Sequence, residues 1–279
     1  MKKIDPAELA ATYGRISERC ESNLSSLEEI IAEQCQGGIK RGLIVQNLSE
    51  MAFNALCQAM QQCRHKQDFS AGQATMQRFM YMLQSTLFVS VEEIAEAHRD
   101  FFQKLYPKKS PPGFYLPELF YMLHACLFAG DWTAAQKLAQ LVREKPLAVD
   151  SGASDPSATL IACAMVDDLT AFEACLDGKD PFEERGTAYA NYPMMYWAAL
   201  KRDHEQFAHW YGVIFEEFKN RARARGNQVH AVEYGFSAEY NLLTLDFQGI
   251  SACKVAQKLG VPLPPPTEYI PAEVVSYWQ

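Results

Sequence analysis

The sequence predicts an all-α protein built from antiparallel helix hairpins. Two observations support this fold class. Apolar residues recur at helical spacing along most of the 279 residues, and short polar breaks with capping residues separate these stretches. In addition, no stretch shows the alternation of apolar and polar residues, bounded by hairpin turns, that predicts β-strands.

One local pattern occurs three times between Phe128 and Trp210. In each copy an apolar helical stretch ends in a polar break, an aspartate follows and a second helical stretch begins; the aspartates are Asp131, Asp168 and Asp203. They lie 37 and 35 positions apart. Aspartate is a strong N-cap because its carboxylate accepts a hydrogen bond from an unpaired amide of the first turn. One hairpin per ~35 residues is typical of stacked repeats, so we expect a degenerate helical-repeat (TPR/HEAT-like) array.

The N-terminal part predicts four helices, which open at Asp5-Pro6, near Leu43, at Ser70 and at Val91. The first has Asp at the N-cap and Pro at the first helical position, and Gly37-Gly38 ends it. Ser90 followed by Glu93 is a capping-box pattern for the fourth. The loop 107–113 contains three prolines and predicts a linker. We therefore expect an N-terminal helical subdomain over 1–106 and a C-terminal helical-hairpin subdomain over 114–279.

The C-terminal part predicts three hairpins and a last helical segment. Helices are expected over 116–128 and 132–143, on both sides of Asp168, after Tyr192-Pro193, over 204–224 and, as one helix or a kinked pair, over 230–259. Gly260-Val261-Pro262 stops the last segment. The following residues up to Pro271 carry further prolines and are expected to be extended.

Composition excludes some classes of function. Lys and Arg number 26 and Asp and Glu number 34, so the net charge is −8. A general nucleic-acid binder needs a basic face, which this balance argues against. An acidic surface fits a basic protein partner, or solubility alone. The eight cysteines form no C-x-x-C pair, and no signal peptide or membrane span is found, so we expect a cytoplasmic protein with free thiols.

The titratable residues form no catalytic or metal-binding pattern. His204 and His209 are five positions apart, so they point to different sides of a helix and cannot share a zinc ion. His124 and Cys126 occupy an apolar helix, which favours a core histidine over a base for a thiol nucleophile. We therefore expect no enzyme activity, no cofactor and no metal.

Two groups in the C-terminal third have alternative interpretations. Glu239 and Asp246 fall within an apolar run, and because an unpaired buried charge is costly we expect a hydrogen-bond or arginine partner for each. An aromatic cluster either packs between hairpins or forms a face for a protein partner. Its members are Tyr189, Tyr192, Tyr196, Trp197, Trp210 and Tyr211.

The C-terminal third also carries an ordered set of motifs. They are the Tyr192-Pro193 opening, Ala198-Ala199-Leu200, the Asp203 corner, the run from Glu239 to Ile250, the segment from Ala256 to Val261 and the tail from Glu268 to Val275. This order resembles the helical immunity proteins of bacterial polymorphic-toxin systems, in particular the family numbered forty-nine, over about residues 115–275. A neighbouring family, the immunity proteins of toxins with a PD-(D/E)XK nuclease-like domain, has a similar aromatic-rich helix and tyrosine-proline tail. The proline run 264–266 departs from the pattern by lengthening the tail.

The resemblance implies an inhibitor that binds a cognate antibacterial toxin, such as a type VI secretion effector, and covers its active site. Many such toxins act on nucleic acid or nucleotides, so an acidic helical surface would mimic phosphate charge and speed association. The alternative is a general helical-repeat scaffold that holds a peptide or helix of a protein partner. Neither interpretation specifies the toxin or the oligomeric state.

Hairpin corners of stacked repeats line up along one edge and form a contiguous surface. We therefore expect the partner to contact acidic and aromatic residues at corners and exposed loops. These residues are Asp131, Trp132, Asp168, Glu183, Glu184, Asp203 and Glu205.

Overall fold

The structure is a computed structural model that describes residues 6–37, 39–105, 116–144, 157–176, 191–226 and 245–277. Within these ranges the regular elements are twelve α-helices and one short 3-10 helix, and there is no strand. The all-α prediction is therefore confirmed. Among the described residues, none of the helices combines the length and apolarity that crossing a bilayer requires.

The helices follow the predicted order, with two corrections. They are α1 (Pro6–Gln34), α2 (Ile44–His65), α3 (Phe69–Ser85), α4 (Val91–Leu105), α5 (Leu116–Ala129), α6 (Trp132–Glu144), α7 (Ser157–Met165), α8 (Leu169–Leu176), α9 (Tyr192–Leu200), α10 (His204–Gly226), α11 (Phe247–Lys258) and α12 (Ala272–Tyr277), with the 3-10 helix Ile39–Leu43 before α2. Helix α3 begins before Ser70, because Asp68 is its N-cap. In the segment expected over 230–259 as one helix or a kinked pair, residues 245 and 246 are not helical, and α11 begins at Phe247 with Asp246 as its N-cap. Residues 227–244 lie outside the described residues.

Helix α2 is the centre of the N-terminal half. It packs against α1, α3 and α5, and its apolar stripe, which includes Leu48 and Met51, is fully buried. Polar side chains between α1 and α2 pair with each other: Ser17 Oγ donates to Gln58 Oε1 at 3.0 Å. Burial of these groups is tolerated because their hydrogen bonds are made within the protein.

Helix α5 connects the two halves of the molecule. It packs against α2 and α3, and also against α6, α7 and α11. A single hydrophobic core extends from Ile16 in α1 to Val275 in α12. The linker 107–113 lies outside the described residues, so the division into two subdomains stays a prediction.

The segment after α11 folds back over the molecule. Residues 261–267 are not helical, as their prolines predict. Tyr211 donates its hydroxyl to the Pro265 carbonyl oxygen at 3.1 Å, and Arg64 Nη1 donates to the Glu268 carbonyl oxygen at 2.7 Å. These contacts hold the tail against α10 and α2.

Two expectations about side chains can be compared with the structure. All eight cysteines are free thiols, six of them buried. In the aromatic cluster Tyr192, Tyr196 and Tyr211 are buried, whereas Trp197 and Trp210 are partly buried against the core. Core packing is therefore the role of these residues. Tyr189 lies outside the described residues.

Candidate partner-binding groove

The three aspartate corners share one backbone geometry. The residue before each aspartate has a positive φ: 78° at Gly130, 59° at Asp167 and 56° at Arg202. The amide of each aspartate then donates to the carbonyl oxygen five residues earlier, at 3.0 to 3.1 Å. A left-handed residue that ends one helix while its neighbour caps the next turns the chain sharply. The repeated sequence pattern therefore corresponds to a repeated local structure.

The three carboxylates are N-caps, as the sequence predicts. Oδ1 of Asp131 and of Asp168 each accepts the amide of the residue three positions later at 2.9 Å, and Oδ1 of Asp203 does so at 3.0 Å. Each cap contributes about 1 kcal/mol to stability.

A related corner joins α2 to α3, where the aspartate amide donates to the carbonyl oxygen six residues earlier instead of five. Gln67 has a φ of 51°, and Asp68 Oδ1 accepts the amide of Ala71 at 2.9 Å. The pattern of a helix end, a polar residue and then aspartate is present there too. Ser70 is also a capping residue type, so the sequence alone does not distinguish it from Asp68 as the start of α3.

The corner carboxylates also contact neighbouring elements. Oδ2 of Asp131 accepts a hydrogen bond from Gln84 Nε2 in α3 at 2.8 Å. Asp168 pairs with Arg143 at the end of α6, and Asp167 pairs with Arg202 of the next corner. The hydrogen bonds from Arg202 lower the pKa of Asp167. The carboxylates at these corners therefore take part in hydrogen bonds and ion pairs within the chain.

A groove of about 570 Å³ lies between α3 and the α5–α6 corner. Two residues expected at the partner interface, Asp131 and Trp132, are on one wall. The opposite wall is the outward face of α3, where residues at helical spacing turn to the same side. The groove is lined by Gln73, Gln77, Met80, Tyr81, Gln84, Ala129, Gly130, Asp131, Trp132 and Thr133.

The groove is polar but contains one prominent aromatic side chain. Tyr81 is 70% exposed, which is unusual for so large a residue. Gln77 and Gln84 present exposed carboxamides beside it. On the other wall, the partly buried ring of Trp132 has the Lys258 ammonium 5.6 Å from its centre. Hydrogen-bonding groups next to an open aromatic face are typical of protein-binding surfaces.

Helix α11 supports the corner wall from inside the molecule. Lys254 is buried and donates from Nζ to the Phe128 carbonyl oxygen, near the end of α5, at 3.0 Å. A lysine at a helix C-terminus satisfies a carbonyl that the helix leaves unpaired. Burial lowers the pKa of Lys254 to about 7. The position of the α5–α6 corner therefore depends on a side chain more than a hundred residues away.

A buried polar cluster surrounds the start of α11. Tyr192 donates its hydroxyl to Asp246 Oδ1 at 2.8 Å, and the Gly249 amide donates to the same oxygen at 2.9 Å. This confirms the expected hydrogen-bond partner for Asp246, whereas Glu239 lies outside the described residues. His124 Nδ1 and Ser251 Oγ are 2.9 Å apart, and burial lowers the pKa of His124 to about 3. Both side chains are fully buried, and His124 lies in the core as its apolar helix predicts.

The structure separates the residues expected at the interface. Asp131 and Trp132 line the groove, whereas Asp168, Asp203 and Glu205 lie at the other two corners. Glu183 and Glu184 lie outside the described residues. Tyr81 and the glutamines of α3 were not recognised in the sequence, because an exposed helical face gives no signal of what lies opposite it.

In the part of the chain that the structure describes, no group of three or more His, Cys, Asp or Glu side chains is placed so that it could hold a metal ion. Comparison of the chain with family models, curated proteins and solved structures gave no match.

Proposed function

We propose that this protein binds and neutralises a cognate antibacterial toxin in the cytoplasm, as the immunity proteins that its C-terminal third resembles do. The groove between α3 and the α5–α6 corner is the observation that carries the proposal. It joins two residues expected at an interface, Asp131 and Trp132, to the exposed ring of Tyr81. In this proposal the groove receives part of the toxin.

In this proposal the helix pairs α5–α6, α7–α8 and α9–α10 form a degenerate repeat array. The shared geometry of the corners at Asp131, Asp168 and Asp203 supports it. Contacts of α6 with α7 and of α7 with α9 are further support for this arrangement. Repeat arrays present their corners along one edge, and the partner would bind across that edge.

Aromatic side chains are expected to provide most of the binding energy. Tyrosine and tryptophan are enriched among residues whose truncation weakens protein complexes, because each offers a large surface at a small entropic cost. Each capping aspartate uses Oδ1 for a hydrogen bond within the chain, so it offers at most its other carboxylate oxygen to a partner. Glu205, exposed in the first turn of α10, offers an acidic group at the same edge.

A growth assay tests the proposal. The toxin encoded beside this protein would be produced in bacteria with and without the chain, and the chain is expected to restore growth. Tyr81→Arg would place bulk and charge in the groove and is expected to reduce protection. Val89→Arg is the matched control, because Val89 is 73% exposed and lies outside the groove.

Equal killing with and without the wild-type chain would exclude an immunity function for that toxin. Equal protection by Tyr81→Arg and Val89→Arg would place the interface elsewhere. Capture of several unrelated proteins and no toxin would favour the general scaffold.

A further inference from the structure

We infer that the groove receives the guanidinium group of an arginine side chain of the partner; this rests on the protein-binding function proposed above. The volume of the groove limits the size of the group that it can hold. A volume of about 570 Å³ admits one or two side chains of a partner. The partner must therefore project a side chain or a short segment into it.

The charge of the walls selects the chemistry of that side chain. Among the described residues that line the groove there is no lysine or arginine, and Asp131 is the charged one. An anionic side chain would face this carboxylate, and the Lys258 ammonium over the Trp132 ring is not among the groups that line the groove. An apolar one would cover the carboxamides of Gln73 and Gln77 without replacing their hydrogen bonds to water, which is costly. A cationic group rich in hydrogen-bond donors pairs with the carboxylate on one wall and donates to the carboxamide oxygens on the other.

The exposed ring favours a guanidinium over an ammonium. A guanidinium is planar, donates five hydrogen bonds in a fixed arrangement and stacks on aromatic faces. Tyr81 offers such a face, since its side chain is 70% exposed. Asp131 and the carboxamide oxygens of Gln77 and Gln84 then provide acceptors around the edge of the stacked group. This arrangement of carboxylate, carboxamide and aromatic ring matches the donors of arginine.

The N-terminus of α6 does not make the groove an anion site. Helix N-termini attract anions. Here that position is already filled from within the chain, since Oδ1 of Asp131 accepts the Ala134 amide at 2.9 Å. The other oxygen, Oδ2, is directed towards α3, where it accepts from Gln84 Nε2. The groove therefore faces a carboxylate oxygen.

A peptide titration tests the inference on the full chain. The probe is acetyl-Ala-Arg-Ala-amide, and the reference is the same peptide with citrulline, which keeps the shape of arginine without its charge. Binding would be followed by NMR through the side-chain amides of Gln73 and Gln77 and the indole N–H of Trp132. We expect saturable shifts with the arginine peptide and at least about fivefold weaker binding of the citrulline peptide.

Two variants provide a matched comparison. Asp131→Asn removes the charge but keeps the N-cap, because asparagine caps about as well as aspartate. Asp203→Asn makes the same change in charge at a corner of the same geometry outside the groove. Asp131→Asn is expected to weaken arginine binding about fivefold, and Asp203→Asn to leave it unchanged. Tyr81→Ala is a second test at an exposed side chain that the fold does not need, and it is expected to weaken binding as well.

The outcomes separate this inference from the proposed function. Absence of saturable shifts, equal binding of the citrulline peptide, or equal affinities of Asp131→Asn and Asp203→Asn would overturn the arginine site. The growth assay would still decide whether the chain protects against the toxin. Conversely, arginine binding by a chain that fails to protect would contradict the immunity function and leave the site in place.

Discussion

The corners between α5 and α10 and the surroundings of α11 use the same kinds of side chain in opposite environments. At the corners, Asp167 pairs with Arg202 where both are about half exposed. Around α11, Asp246 and Lys254 are almost completely buried. Exposed charges interact weakly because water screens them, whereas buried polar groups are costly unless their hydrogen bonds are complete. The first region therefore provides surface and local turns, and the second provides stability and position.

The two regions meet at the wall of the groove. The α5–α6 corner supplies Asp131 and Trp132, and α11 holds the same corner through the hydrogen bond from Lys254 to the Phe128 carbonyl oxygen. A change in the surface pairs should thus affect binding more than folding, and a change around α11 should do the reverse.

The largest expected effect is at the N-cap of α11. Asp246→Ala would leave the buried hydroxyl of Tyr192 and the Gly249 amide without their acceptor. We expect a loss of about 4 kcal/mol in the free energy of unfolding, from the lost cap and two buried unsatisfied donors. Urea unfolding measures it. Tyr192→Phe removes only one of these hydrogen bonds and is expected to cost about 1 kcal/mol. Equal effects of the two variants would contradict this account of the cluster.

The next effect is a dependence on pH. Because burial lowers the pKa of Lys254 to about 7, the unfolded chain binds a proton there between about pH 7 and 10.5 that the folded chain does not. This group therefore penalises folding at low pH, and the penalty decreases as the pH rises. Between about pH 7 and 8.5 the stability of the wild type should increase by roughly 1.5 kcal/mol relative to that of Lys254→Met.

The comparison with Lys254→Met is needed because other buried groups make the free energy of unfolding decrease as the pH rises. Burial raises the pKa of the Cys126 and Cys253 thiols, so the unfolded chain loses these protons first and stability decreases as the pH rises past the ordinary thiol value. Both proteins retain these thiols, so their contribution cancels in the difference. A difference that does not change between about pH 7 and 8.5 would show that Lys254 does not have the lowered pKa.

The same contrast explains how far the sequence could be interpreted. The caps at Asp131, Asp168 and Asp203 depend on residues within a few positions, so their pattern is visible in the chain. Asp246 is also a capping residue type. Because apolar residues continue on both sides of it, the sequence alone does not distinguish a cap from a position inside a helix. The fold class and most helix bounds follow from such local patterns.

Contacts between distant segments could not be predicted. The groove brings Tyr81 of α3 opposite Trp132 of α6, and their approach depends on how α5 packs against α2 and α3. Lys254 looks like an ordinary lysine of an amphipathic helix, yet it reaches a carbonyl group of α5. A single sequence does not show which distant segments contact each other. Asp131 and Trp132 could therefore be proposed as interface residues, whereas the wall formed by α3 could not.

A smaller effect tests whether the corners are structurally equivalent. Asp203→Ala removes the N-cap of α10 and is expected to cost about 1 kcal/mol, whereas Asp203→Asn should change the stability by only a few tenths of a kcal/mol. The difference between the two variants in thermal unfolding measures the contribution of the N-cap hydrogen bond to stability. Asp168→Ala should cost more than Asp203→Ala, because Arg143 also loses its partner. If Asp203→Asn and Asp203→Ala were equally unstable, the carboxylate would have a role other than capping.

The smallest effect concerns Arg202, which combines a surface ion pair with an unfavourable backbone. Arg202→Ala loses the pairing with Asp167, and because both side chains are 47% exposed this should cost no more than about 0.5 kcal/mol. The alanine keeps the φ of 56°, which costs a residue with a Cβ roughly 1 kcal/mol. Arg202→Gly removes the same pair and also this strain, so it should be more stable than Arg202→Ala by up to about 1 kcal/mol. The equivalent position in the first corner is already Gly130, and Gly130→Ala should therefore be destabilising by a similar amount. Urea unfolding would show whether glycine is more stable than alanine at both positions. An Arg202→Gly protein less stable than Arg202→Ala would mean that the C-terminal turns of α9 and α5 do not have the same backbone requirement.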